Sequence, residues 1–224
     1  MTYIQTPTPN FEQSQDFYSN LGFKTVSDDP FVATDGKVFV EINPERTARV
    51  AIKLFSDDWS AETAEVEKLS HVVESNSSFH ASDPNGVRVE LVNGSFPFEY
   101  ADESFGITGN FAGLSIEAFD PVRTVDFWSA LGFEKTMGDL DQGWVAYARE
   151  RAGISIMKTG MCPHLFTNPG LTYFNSGKNL ENIEKLQGAG IPITEEITVF
   201  NDEGVVDNVI IHDPGGLGFF VFND

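Results

Sequence analysis

The sequence predicts an α+β protein with two similar domains in tandem, each composed of two βαβββ modules. Two repeated motifs lead to this prediction. Residues 17–23 (Phe-Tyr-Ser-Asn-Leu-Gly-Phe) recur as residues 127–133 (Phe-Trp-Ser-Ala-Leu-Gly-Phe). An Asp-Pro turn at residues 83–86, which precedes an apolar strand, recurs at residues 213–216. Repetition of both motifs in the same order indicates that a whole folding unit is duplicated.

Each copy of the first motif forms the end of a predicted helix. Asn10 and Asp120 are favourable N-caps, and Pro121 stands at the first helical position, where its missing N–H is not needed. Gln13 is placed to complete a capping box with Asn10. The Leu-Gly-Phe that closes each motif supplies a glycine for the left-handed residue that ends a helix.

Alternating apolar and polar residues predict the strands between the motifs. The predicted elements of the first half are strand 3–8, helix 11–21, strands 24–27, 31–34, 38–42 and 50–55, helix 61–69 and three short strands that end at residue 92. Those of the second half are strand 112–118, helix 121–131, strands 134–137, 143–149, 154–158 and 171–175, helix 180–187 and strands that end at residue 222. The predicted domains are residues 1–98 and 110–224, joined by a linker at 99–109.

The charge of the chain excludes several classes of partner. Its 34 acidic and 14 basic residues give a net charge of −20, which repels nucleic acids and anionic membrane surfaces. No apolar run in the sequence is long enough to span a bilayer. Cys162 is the only cysteine, which excludes an internal disulfide. We therefore expect a cytoplasmic protein without nucleic-acid or membrane partners.

The two motifs together resemble those of the vicinal oxygen chelate superfamily. This superfamily includes glyoxalase I, bleomycin-resistance proteins and extradiol dioxygenases, and the resemblance covers nearly the whole chain, twice. It implies two glyoxalase-like domains whose four βαβββ modules curl into curved mixed sheets, or cups, that hold a ligand. Whether the modules pair within each half or across the halves stays open at this point.

The resemblance also implies where a metal site would lie. Metal-dependent members place ligands on the first, fourth, fifth and eighth strands of a domain. In the first half these positions fall on Tyr3, Glu41, Ala51 or Ile52, and Glu90. Only the two glutamates match the ligands that the resemblance implies, since Tyr3 stands where His or Gln is usual. They are therefore the candidates for a divalent metal or for acid–base chemistry, but no cofactor is the leading expectation.

The second half retains none of the ligands that the resemblance implies. Its four positions fall on Gly113, Ser155, Leu171 and Phe220. A structural interpretation also exists for the first half, because Arg88 lies on the same strand face as Glu90 and is placed to neutralise the glutamates. The metal site of the superfamily is therefore predicted to be degenerate.

A ligand pocket rich in aromatic residues is predicted in the second cup, where rings stack on flat ligands. Its predicted residues are Ser155, Met157, Tyr173, Phe220 and Phe222, with Trp128, Trp144 and Tyr147 nearby. Tyr3 and Arg88 are the candidates in the first cup. The alternative is a second cup that has collapsed into ordinary core. Cys162 and His164 lie in an inserted loop without a third partner and are interpreted as surface residues.

Three functions follow as hypotheses. The leading one is metal-independent binding or sequestration of a small apolar or aromatic molecule, as in bleomycin-resistance proteins. The alternative is a metal-dependent lyase, isomerase or dioxygenase that uses Glu41 and Glu90. The third is a non-catalytic interaction scaffold, which two filled cups would favour. Because the two halves form an internal pseudo-dimer, we expect a monomer, with a homodimer as the alternative.

Overall fold

The computed structural model describes residues 2–75 and 78–223 and contains two eight-stranded mixed sheets with four helices. The elements of the first half are β1 (Thr2–Pro7), α1 (Phe11–Asn20), β2 (Lys24–Asp28), β3 (Phe31–Thr34), β4 (Val38–Asn43), β5 (Ala51–Ser56), α2 (Ser60–Val66), β6 (Val73–Ser75), β7 (Ser78–Ser82) and β8 (Arg88–Asn93). Those of the second half are β9 (Phe111–Ala118), α3 (Pro121–Ala130), β10 (Glu134–Asp139), a 3₁₀ turn (Leu140–Gln142), β11 (Trp144–Arg149), β12 (Ala152–Lys158), β13 (Gly170–Phe174), α4 (Asn179–Gly188), β14 (Glu195–Ile197), β15 (Asn208–His212) and β16 (Gly218–Phe222).

The modules pair within each half, which settles the alternative left open by the sequence. The strand orders are β2-β3-β4-β1-β5-β8-β7-β6 and β10-β11-β12-β9-β13-β16-β15-β14. In each sheet the first strands of the two modules run antiparallel side by side, β1 beside β5 and β9 beside β13. Each half is therefore a complete α+β domain of two βαβββ modules, as the sequence predicts.

The predicted N-caps of the two helices are confirmed, but the predicted capping box is not, because the backbone N–H of Asn10 donates to Thr8 Oγ1 at 3.1 Å and not to Gln13. The Asn10 side chain accepts a hydrogen bond from the backbone N–H of Gln13 at 3.2 Å, and Asp120 accepts one from Arg123 at 3.1 Å. Each of these bonds satisfies a donor that the first turn of a helix leaves without a partner. Gly22 then ends the first helix in the left-handed region, with φ of 82°.

One buried cluster of apolar residues extends through both domains. Phe17 and Tyr18 of α1 contact Phe219 of β16, with ring centroids 5.9 and 6.2 Å apart. Tyr173 of β13 stacks on the other side of this arrangement, 6.2 Å from Phe219 and nearly parallel to it. The sheet face that carries Phe219 and Tyr173 therefore belongs to the core, and the opposite face of each sheet, here called the cup face, points away from it.

The repeated motifs of one domain contact those of the other. The Tyr18 hydroxyl, from the helix motif of the first domain, donates a 2.8 Å hydrogen bond to the buried Asp213 of the second Asp-Pro turn. In the reciprocal position, the Trp128 indole lies near Asp83 of the first Asp-Pro turn, whose pKa is raised by burial. The two motifs thus serve a common purpose, which is to join the domains.

The two Asp-Pro turns reach the neighbouring domain by different means. A Cβ at Gly215 would lie 1.8 Å from the carbonyl oxygen of Pro7, so only glycine permits this close approach. Asn85 holds the matching position in the first turn. Its side-chain amide donates to Thr124 at 3.0 Å, and its oxygen accepts from the backbone of Phe119 at 3.3 Å. The second turn thus contacts the first domain through its backbone, and the first turn contacts the second domain through side-chain hydrogen bonds.

The described part of the chain contains no helix that is both long enough and apolar enough to cross a membrane.

Asp213 gives the domain contact a dependence on pH. Burial raises the pKa of Asp213 above its ordinary value of 3.8, against the hydrogen bonds from Thr6 and Tyr18 that favour the charged form. Ionisation is therefore harder in the folded protein than in the unfolded chain, and the free energy of unfolding falls as pH rises from the ordinary to the raised value. Asp213→Asn has no carboxyl group to ionise at this position and so lacks this loss. The free energy of unfolding of the variant minus that of the wild type should therefore increase with pH in that window and stay level above it.

Denaturant unfolding at a series of pH values measures this difference. Asp16→Asn, an exposed position on α1, is the matched control and should show little change. A difference between Asp213→Asn and the wild type that does not vary with pH would contradict the prediction.

Candidate functional site

The cup face of the first domain carries a cluster of four polar residues. Strand register places Tyr3 beside Lys53 and Lys53 beside Glu90. The Lys53 amine lies 2.8 Å from Glu41 Oε2 and 3.3 Å from Glu90 Oε2. The Tyr3 hydroxyl donates to Glu41 Oε2 at 2.7 Å. An ammonium group therefore occupies the space between the two carboxylates.

This cluster corrects two predictions from the sequence. The fifth-strand position is Lys53, because β1–β5 pairing sets Lys53 beside Tyr3. Of the two predicted residues, Ala51 lies further along the same face, beside Gln5, and Ile52 points into the core. Strand side chains alternate between faces, so a shift of one residue moves the assignment to the wrong side. Lys53 also takes the neutralising role predicted for Arg88, which is exposed and forms no ion pair with any described residue.

The residues of the first cup do not fit a divalent metal. A protonated lysine has no lone pair to offer a metal, and its charge repels one. Both carboxylate oxygens of Glu41 accept hydrogen bonds from Lys53, at 3.1 and 2.8 Å, so the anionic ligand is already neutralised. Within residues 2–75 and 78–223, no three His, Cys, Asp or Glu side chains group so that they could hold a metal ion.

The segment that follows β8 fills the adjoining part of the first cup with aromatic rings. Phe96, Phe98 and Tyr100 pack against Tyr3 and Phe39 of the sheet. The rings of Phe39 and Phe98 stack with centroids 5.3 Å apart and an angle of 8° between their planes. Tyr100, at the start of the predicted linker, thus belongs to the packing of the first domain. We call these three residues the aromatic plug.

The second cup contains an open cavity of about 600 Å³. Leu114 pairs with Ile154, which sets Gly113 beside Gly153 where the first domain has Tyr3 and Phe39. Two glycines therefore replace two aromatic rings on the floor of the cup. A Cβ at Gly113 would lie 2.9 Å from the Gly153 carbonyl oxygen, so the close approach of these strands requires glycine.

The walls of this cavity are mainly aromatic and sulfur-containing. The structure places six of the predicted pocket residues around it: Trp144, Tyr147, Ser155, Met157, Phe220 and Phe222. Tyr173 and Trp128 were also predicted for the pocket, and both predictions are wrong. Tyr173 lies in the core because Thr172, its neighbour in β13, takes the cup face, and Trp128 projects from α3 into the same core.

A pair of hydroxyl groups lies on the floor of the cavity. The side-chain oxygens of Ser115 and Thr172 are joined by a buried hydrogen bond of 2.6 Å. Thr172 pairs with Gly113 and Phe220, which makes it the counterpart of Lys53. The sequence-based assignment of this position to Leu171 is wrong by one residue, because Leu171 faces the core. The cavity thus carries a pair of hydroxyl groups on its floor, among walls that include several aromatic rings.

The loop of residues 159–169 covers one side of the cavity. The His164 ring lies 5.2 Å from the ring of Phe222, and the Phe166 ring lies 4.8 Å from that of Phe220. Cys162 contacts Met157 through their sulfur atoms, 3.5 Å apart. The interpretation of Cys162 and His164 as plain surface residues is therefore wrong, since both line the cavity.

The covering loop is held in place by polar contacts at both ends. Glu117 accepts a hydrogen bond from the backbone of Gly160 at 2.9 Å, and its own backbone exchanges two 2.8 Å hydrogen bonds with the Asn168 side chain.

Burial, with a smaller contribution from Glu117, raises the pKa of the Cys162 thiol to about 11. The thiol is therefore protonated at neutral pH and is not a nucleophile.

The sequence matches no family model and no curated protein. The structure is similar to the Mn(II)-bound glyoxalase from Novosphingobium aromaticivorans, with a TM-score of 0.60, 18% identity and coverage of 99% of this chain and 80% of that one. It is also similar to 2,2',3-trihydroxybiphenyl 1,2-dioxygenase from Sphingomonas wittichii strain RW1, with a TM-score of 0.58, 17% identity and coverage of 100% and 89%. A variant of 4-hydroxymandelate synthase from Streptomyces coelicolor gives a TM-score of 0.60, 11% identity and coverage of 97% and 90%.

The chain therefore shares the two-domain fold of these glyoxalase and dioxygenase structures, which is the fold that its motifs predict. At identities this low, the likeness establishes the fold and leaves the activity to be argued from the sites.

The ion-paired cluster makes Lys53 important for stability. Lys53→Met should lower the free energy of unfolding by about 3 kcal/mol at neutral pH, because two carboxylates lose a partner in a mostly buried place. The difference should shrink in acid, where the carboxylates become protonated. Denaturant unfolding measures both effects. Lys68→Met is the matched control, since Lys68 and Glu65 form an exposed pair with side chains 63% and 58% accessible, and should change stability little. Equal effects of the two substitutions would contradict this account.

Proposed function

We propose that the protein binds a small, flat, apolar or aromatic molecule in the cavity of the second cup, without the help of a metal ion. The observation that carries this proposal is the contrast between the cups. The place over Tyr3 and Phe39 is filled by the aromatic plug in the first domain. The matching place in the second domain, over Gly113 and Gly153, lies open as part of a cavity of about 600 Å³. A volume of this order is usual for small-molecule sites.

The chemistry of the cavity supports an apolar ligand with one polar group. Phe220 and Phe222 present rings that are nearly parallel, 11° apart, along one wall. Such rings favour flat apolar partners through stacking and burial. The Ser115–Thr172 hydroxyl pair offers a hydrogen-bonding point on the floor that would orient a hydroxyl or carbonyl group of the ligand.

The ion pairs of the first cup favour binding over metal-dependent catalysis. Glyoxalase and dioxygenase neighbours keep the enzyme alternative in consideration, but here its two candidate ligands, Glu41 and Glu90, are held by Lys53. The open second cup disfavours the scaffold alternative, because that hypothesis predicts two cups filled with side chains.

Ligand binding can be tested with N-phenyl-1-naphthylamine, a neutral aromatic probe whose fluorescence rises in apolar surroundings. We expect saturable enhancement with the wild type. Ser155→Phe fills the floor of the cavity and should weaken binding about tenfold or more, as displaced contacts of 1–3 kcal/mol imply. Thr25→Phe adds the same ring at an exposed strand position and should bind as the wild type does. Energy transfer from tryptophan to the probe should decline in Trp144→Phe, since Trp144 lines the cavity.

Equal binding by Ser155→Phe and Thr25→Phe would remove the second cup as the binding site. Absence of saturable binding by the wild type, with a panel of neutral aromatic compounds as well, would overturn the proposed function.

The metal-dependent alternative has a separate test. Chelated protein is unfolded by heat alone and then with Mn²⁺, Fe²⁺, Zn²⁺ or Ni²⁺. A metal present at a hundredfold its dissociation constant would stabilise the protein by about 2.7 kcal/mol. We expect that no ion raises the unfolding midpoint of the wild type through these glutamates. Any increase that does occur should therefore persist in Glu41→Gln and Glu90→Gln. An increase with one ion that either substitution abolishes would support the enzyme instead.

A further inference from the structure

A second cavity, of about 620 Å³, lies on the cup face of the first domain at the end away from the aromatic plug. Its floor is a row of residues in register on three strands, Gln5, Ala51 and Arg88. The loop of residues 47–49 and the segment 70–73 line its sides. Ala51, whose side chain is small, is the residue directly beside Arg88 on this floor. We call this cavity the first-domain cleft.

Two arginines and two histidines line the first-domain cleft in a chain whose net charge is −20. Arg49, Arg88, His71 and His80 all line it. The one carboxylate among the lining residues is Glu90, which is bound by Lys53 at 3.3 Å and by the Ser78 hydroxyl at 3.1 Å. The local charge of the cleft is therefore opposite to that of the protein as a whole.

The two guanidinium groups keep most of their hydrogen-bonding capacity unused. Arg49 donates from Nη1 to the backbone carbonyl of Ala48 at 2.7 Å, and within the described residues neither Arg49 nor Arg88 forms an ion pair. A guanidinium stays charged at every physiological pH and presents donors in a fork that matches carboxylate and phosphate oxygens. Two such groups on one cleft are suited to an oxyanion.

We propose that the first-domain cleft binds a small organic anion that bears a carboxylate or phosphate group. Arg49 and Arg88 bind its oxygens, and the volume of the cleft accommodates the remainder of a small molecule. This site is independent of the aromatic cavity in the second domain, because the two lie on cup faces that point away from the shared core.

Calorimetric titration with inorganic phosphate and, separately, with citrate tests the proposal at constant ionic strength, with chloride as the reference anion. Saturable binding of at least one of the two is expected, and the stronger binder identifies phosphate or carboxylate as the preferred group. Arg88→Gln and Arg49→Gln should each weaken binding about tenfold, the loss of one charge-assisted hydrogen bond. Arg123→Gln, an exposed arginine on α3, is the matched control and should bind normally.

A second kind of variant leaves both arginines in place. Thr47→Glu adds a negative charge on an exposed loop residue that lines the cleft and should also weaken binding. Ser155→Phe should not affect it, which separates this proposal from the aromatic site. No saturable binding of phosphate or citrate by the wild type, or equal binding by Arg88→Gln and Arg123→Gln, would overturn the proposal.

Discussion

Burial of aspartate side chains at the boundary between the domains is the constraint on which this structure depends. A carboxyl group inside a protein requires hydrogen bonds, and Asp213 obtains them from its own turn and from Tyr18 of the other domain. The contact fixes the helix of one domain against the turn of the next. Because the helices and turns are thereby enclosed in one core, both cup faces are directed away from it and carry different residues.

The two cups show how one backbone arrangement supports different interiors. Matching rows hold Tyr3, Glu41, Lys53 and Glu90 in one domain and Gly113, Ser155, Thr172 and Phe220 in the other. The first row satisfies its own charges and is packed against rings. The second has lost every charge and has glycine where the first has tyrosine, so it leaves a space that apolar rings enclose. One copy of the repeated unit therefore carries an ion-paired cluster at these positions, and the other carries an open cavity.

The sequence predicts the features that depend on local interactions. Caps at Asn10 and Asp120 and the stop at Gly22 lie within a few residues of their partners, so the motif itself contains the information. Lys53 and Thr172 escaped prediction because each depends on which side of a strand faces the cup, and one residue of slippage reverses that choice. Cys162 and His164 escaped because a loop's path over a distant sheet is a tertiary property that no spacing records.

The aromatic plug has a consequence for how the chain is divided. Phe96, Phe98 and Tyr100 follow the last strand of the first sheet, yet they cover the rings of Tyr3 and Phe39. A fragment cut where that sheet ends, at Asn93, would expose a broad apolar surface and would tend to self-associate. The first domain therefore extends beyond its last strand, and the connecting chain is a structural part of the domain that it leaves.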